Sequence, residues 1–191
     1  MSLCHQLREN ATCPDTLGSD LILLAEATAN AELLARLEFH GIEHQCLWHL
    51  QRSAGLERYA PWLFRLVPGS DLDNWLGSSA GQLPFTALAT AMPVDALARH
   101  LRRFGKLQQG SKRYWLRLGN PHALSLYVES LAHQAEQLAQ LFDHGRLRTL
   151  YFHAPETGLA ISVQPLFEQL AQTCERQEHL AWLVPAKAPH Q

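Results

Sequence analysis

Short apolar runs of strand length recur along the chain, with segments of helical periodicity between them. This alternation limits the fold more than any other feature. Leu21-Ile22-Leu23-Leu24-Ala25 is the first run and reads as a buried strand. A second strand is predicted around Cys46-Leu47-Trp48. Others follow in Tyr59 to Val67, Pro84 to Thr90 and Arg113 to Leu118. Thr149 to His153 and Leu159 to Val163 flank Ala154-Pro155-Glu156-Thr157-Gly158, a hairpin pattern. Between the runs, Asn30 is placed to cap a helix carrying Leu33, Leu34 and Leu37, which Gly41 ends. Pro93 opens a helix with Val94, Leu97, Ala98 and Leu101 on one face. Asn120 and Pro121 form a cap and first turn ahead of Leu124, Tyr127, Val128 and Leu131. A polar helix containing Gln134 to Leu141 comes next, and Pro165 is read as opening a last helix reaching about Leu183.

The fold class expected is therefore α/β: a mixed β-sheet with flanking helices in a single compact domain. Residues 1–19 are read as a flexible N-terminal arm, 20–165 as the core, 166–184 as a C-terminal helix packed on it and 185–191 as a tail. A chain of 191 residues, 47% hydrophobic, is long enough to bury a core without metal or disulfide support. No apolar run approaches the roughly 20 residues of a membrane helix, and Met1 to Asp20 lacks the pattern of a signal peptide. Cys4, Cys13, Cys46 and Cys174 are scattered and read as free thiols. These features fit a cytoplasmic protein.

The net charge of −2 hides an uneven distribution. Residues 1–95 carry a net −6, residues 96–128 carry seven bases and no acid, and residues 129–191 carry a net −3. Arg outnumbers Lys thirteen to three, which favours recognition, because guanidinium offers a planar fork of donors. The basic stretch Arg99, Arg102, Arg103, Lys106, Lys112, Arg113 and Arg117 admits three readings. It is a docking face for a protein partner, a nucleic-acid-binding surface with Tyr114 and Trp115 interleaved, or a solvated face balanced by acids elsewhere. Trp48 and Trp115 are read as core residues, and Trp62 and Trp75 as partly exposed.

Chemistry-bearing motifs are sparse. His40, His44, Cys46 and His49 include zinc-type donors, but their spacing does not place them on one face. Ser78 and Ser79 lie in a small-residue loop without the nucleophile-elbow pattern, and no motif assigns them a base. No phosphate-binding glycine motif occurs. Asp71 and Asp73 are better placed to charge the first turn of a short helix than to act as a catalytic pair. Neither a catalytic residue, a metal ligand nor a cofactor is assigned.

An ordered set of segments resembles the type VI secretion effector adaptor/chaperone family, formerly a domain of unknown function. The set runs from Leu21-Ile22-Leu23-Leu24-Ala25-Glu26-Ala27 through Gln45-Cys46-Leu47-Trp48 to Tyr59-Ala60-Pro61-Trp62-Leu63-Phe64-Arg65-Leu66. His100-Leu101-Arg102-Arg103-Phe104, Arg117-Leu118-Gly119-Asn120-Pro121-His122-Ala123-Leu124 and Tyr151-Phe152-His153-Ala154-Pro155 complete it. Two segments depart from the family pattern: Asp-Pro-Arg is Asn120-Pro121-His122 here, and Phe-Gly-Pro is His153-Ala154-Pro155.

The resemblance implies a non-enzymatic adaptor that binds a toxic effector and assists its loading onto the spike protein VgrG. Tyr59, Trp62, His100, Arg102, Arg103 and Arg117 are the expected partner-binding residues. No membrane contact is expected, and nucleic acid is not the expected partner. The alternatives are a nucleic-acid-binding module using residues 99–117 or a small hydrolase built on Ser78/Ser79.

Overall fold

The computed structural model describes residues 2–9, 20–48, 55–79, 83–166, 175–177 and 179–183. In chain order its elements are α1 (Leu3–Glu9), β1 (Asp20–Glu26), α2 (Leu33–Phe39), β2 (His44–Cys46), β3 (Pro61–Leu66), α3 (Asp71–Ser79), β4 (Phe85–Thr90) and α4 (Val94–Arg102). There follow β5 (Lys106–Gln109), β6 (Lys112–Trp115), α5 (Pro121–Ser130), α6 (Ala135–Leu141), β7 (Leu147–Ala154), β8 (Leu159–Pro165), β9 (Glu175–Gln177) and β10 (Leu180–Leu183). One eight-stranded sheet runs in the order β2-β3-β1-β4-β7-β8-β10-β9, and β5 and β6 form a separate hairpin.

The sheet flanked by helices is the architecture expected from the alternating pattern. Each ladder between the described strands is antiparallel. β1 lies between β3 and β4. Successive side chains of a strand point to opposite faces, and in β1 both sets are buried. Ile22 and Leu24 join the core beneath α4, α5 and α6, with Leu63, Leu88, Phe152, Leu97 and Val128. Leu23 and Ala25 join a second core beneath α1, α2 and α3, with Phe64, Phe85, Leu33, Leu37 and Leu72. Burial on both faces explains why this strand is continuously apolar instead of alternating.

Two segment assignments are corrected. The N-terminal arm contains α1, whose Leu3 and Cys4 are buried in the second core. Asp73, fully buried at the start of α3, ties this helix down. One of its carboxylate oxygens accepts a hydrogen bond from the Cys4 N–H, and the other accepts one from the Gly69 N–H, both at 2.8 Å. Gln6 adds a bond from its amide to the Gly77 carbonyl.

The C-terminal helix expected over 166–184 is replaced, in its described part, by β9 and β10. Pro165 ends β8 opposite Leu180 instead of opening a helix. Leu180 enters the first core, and Trp182 packs on Phe152 with ring centroids 6.4 Å apart. Residues 167–174 and the 185–191 tail lie outside the described residues.

Candidate docking surface

The expected partner-binding residues separate into three groups. The first lies at the end of the sheet where β1, β2 and β3 meet. Trp62 pairs with Ala25 on β1 and with Cys46 on β2. Its indole N–H donates to the Glu57 carbonyl at 2.9 Å, and its ring stands 5.4 Å from that of His44. Tyr59 is exposed on the adjoining turn, with the Arg58 guanidinium over its ring. Arg117 reaches this end from the loop before α5 and holds Glu26 by two hydrogen bonds, at 3.2 and 2.5 Å. Gly119 lets that loop approach: a Cβ there would lie 2.7 Å from Glu26 Cγ and 2.8 Å from Pro61 Cβ. Asn120 then caps α5, accepting the Ala123 N–H at 2.9 Å, and Pro121 follows as its first residue, as expected from the sequence.

Arg102 forms the second group. It extends from the last turn of α4 to the end of β2, donating to the Leu47 carbonyl at 3.1 Å and the Cys46 carbonyl at 2.7 Å. Its fork satisfies two carbonyls beyond a short edge strand, so its charge is committed within the fold. Beside it, burial pushes the Cys46 thiol above its ordinary pKa, while the Trp48 N–H and Arg102 offset part of that rise. Arg103, one residue on, is exposed at the end of the helix.

His100 forms the third group, and its expected role on the docking face is corrected. Only 7% of its surface is accessible. Its Nε2 is 2.8 Å from the Leu141 carbonyl at the end of α6, and its ring packs edge-on against Phe104. It faces inward because it lies three residues after the buried Leu97, on the same side of the helix. His100 therefore joins α4 to α6.

Sequence reasoning missed the β5–β6 hairpin as an exposed element. Trp115, expected in the core, is 70% exposed, and Tyr114 is 45% exposed. Trp48 is also corrected, at 40% exposed. The signal was present: the strands Lys106-Leu107-Gln108-Gln109 and Lys112-Arg113-Tyr114-Trp115 carry no alternating apolar face to bury. Gly110 at φ +60 leads the two-residue turn between them.

The remaining candidates are placed as follows. The His44 Nδ1 is 2.7 Å from the Ile42 carbonyl, and His40 packs edge-on to Phe39. His49 lies outside the described residues, among which no cluster of three or more His, Cys, Asp and Glu side chains is placed to hold a metal. Ser78 donates its hydroxyl to the Trp75 carbonyl at 2.7 Å within α3. The side chain of Ser79 lies outside the described ones. No described helix is long and apolar enough to cross a membrane.

With this geometry in place, comparison with known families gives a definite assignment. The family model for DUF4123, a domain of unknown function, matches residues 21–140, and the chain belongs to that family. The matched stretch runs from β1 into α6 and includes the hairpin, Arg102 and the Arg117-to-Pro121 loop. Comparison with curated proteins and with solved structures finds no match.

Proposed function

We propose that the protein is a non-enzymatic adaptor that binds a type VI secretion effector in the cytoplasm and assists its loading onto the VgrG spike. The observation that carries this reading is the DUF4123 match over residues 21–140, a family associated with effector adaptors of that system. The surface is consistent with such a role. Exposed Trp48, Leu56, Tyr59, Tyr114 and Trp115 accompany a basic stretch, and aromatic and Arg side chains are enriched in protein interfaces.

The test is co-expression with a candidate toxin from the gene's neighbourhood, followed by pull-down and then by addition of a VgrG from the same genome. Capture of the toxin, and of VgrG with it, is expected. A toxin that reaches VgrG equally well in a strain lacking the adaptor would remove the reading.

A further inference from the structure

The acid-free stretch 96–128 does not present its whole charge to solvent. Arg99 is paired with Asp95 at 2.9 Å, Arg117 with Glu26, and Arg102 is spent on two backbone carbonyls. Among the described residues, Arg103, Lys106, Lys112 and Arg113 form no ion pair, and the last three belong to the β5–β6 hairpin. Directly opposed residues of an antiparallel ladder share a face. Lys106 opposite Trp115 and Gln108 opposite Arg113 therefore lie on one face. There the Lys106 ammonium stands 5.0 Å from the Trp115 ring centroid, so cation and aromatic are held together in solvent. The ribbon has only two strands, and the outward backbone groups of each are without a ladder partner.

We infer that the β5–β6 hairpin docks an acidic, extended polypeptide segment along its Lys106–Gln108–Arg113–Trp115 face. Carboxylates of the segment meet Lys106 and Arg113, an apolar side chain lies against Trp115, and its backbone pairs with a free edge of the ribbon. Nucleic acid fits less well. The unpaired cations are few for tracking a phosphate backbone, whereas a short peptide needs only one or two of them. The inference deepens the adaptor reading by giving the chemistry of the bound segment, and it rests on that reading only for the identity of the cargo.

The test uses the full chain and a fluorescein-labelled synthetic peptide repeating Glu-Val-Glu-Thr, followed by anisotropy. Saturable binding that weakens with salt is expected. Arg113→Glu and Trp115→Ala should each weaken it about tenfold, as expected for central anchors. Arg148→Glu, at an exposed position of β7, should leave binding unchanged. The exposed hairpin positions should also leave the thermal midpoint of the variants unaltered. Absence of saturable binding, or equal binding by all variants, overturns the inference. Tighter binding of a labelled oligothymidylate lost in the same variants also overturns it, as does a Trp115-dependent dimer in sedimentation. Peptide binding that persists when the toxin is not captured removes the adaptor reading and leaves the docking element standing.

Discussion

At the residue scale, Asp73 concentrates the most structural consequence in one side chain. A fully buried carboxylate with both oxygens accepting backbone N–H groups joins α1 to the turn ahead of α3. Asp73→Ala leaves the buried Cys4 N–H unsatisfied and frees the Gly69 N–H to water, and a loss of about 1–3 kcal/mol in urea unfolding is expected. Asp73→Asn retains one acceptor oxygen and should lose less. Cys46 supplies a dependence on pH. Its folded-state pKa is raised by burial, so the fold favours the neutral thiol. The associated stability is fully present below the unfolded-state pKa and is lost as pH rises through the folded one. Urea midpoints should therefore fall above about pH 8.5, and Cys46→Ala should flatten that part of the profile. Tyr127, whose pKa is also raised by burial, adds a similar loss at higher pH.

At the element scale, α4 shows how neighbouring arginines diverge. Arg102 lies where the helix ends against β2 and bonds to its carbonyls, whereas Arg103 turns to solvent. Arg102→Ala should destabilise the protein by about 1–3 kcal/mol, because two carbonyls lose a charged donor. Arg103→Glu should leave stability within about 0.5 kcal/mol of the parent. Chemical denaturation of both variants checks this, and equal losses would contradict the separation. A charge reversal at both positions together would mix a folding effect with a binding effect. The apolar face of α4 was legible in the sequence, since Val94, Leu97, Ala98 and Leu101 keep helical spacing and are all buried. The inward turn of His100 was not legible. A histidine on that face needs a carbonyl to receive it, and the carbonyl belongs to Leu141, forty-one residues away.

At the scale of the whole molecule, the sheet has α1, α2 and α3 on one face and α4, α5 and α6 on the other. Removing residues 1–9 would uncover the apolar surface that Leu3 and Cys4 now cover and would take from Asp73 one of its two backbone donors. A chain starting at residue 10 should melt several degrees lower, read by calorimetry, while retaining its sheet signal in circular dichroism. By itself the sequence determined the central strands β1, β3, β4, β7 and β8 and the capped start of α5. These elements announce themselves through local chemistry: apolar runs too short to be helices, turns made by Pro and Gly, and an Asn side chain that can take a free N–H. It also carried the family resemblance, and the DUF4123 match accords with it. Tertiary structure alone decided that the segment ending at Leu183 forms strands and that α1 belongs to the core. It also decided which cations of the basic stretch remain free. Those outcomes depend on partners distant along the chain: Gln164 and Val163 for β10, Asp73 for α1, and Glu26 for Arg117. A local pattern shows what a segment can bury or donate, but the group that receives it is chosen only when the chain folds back.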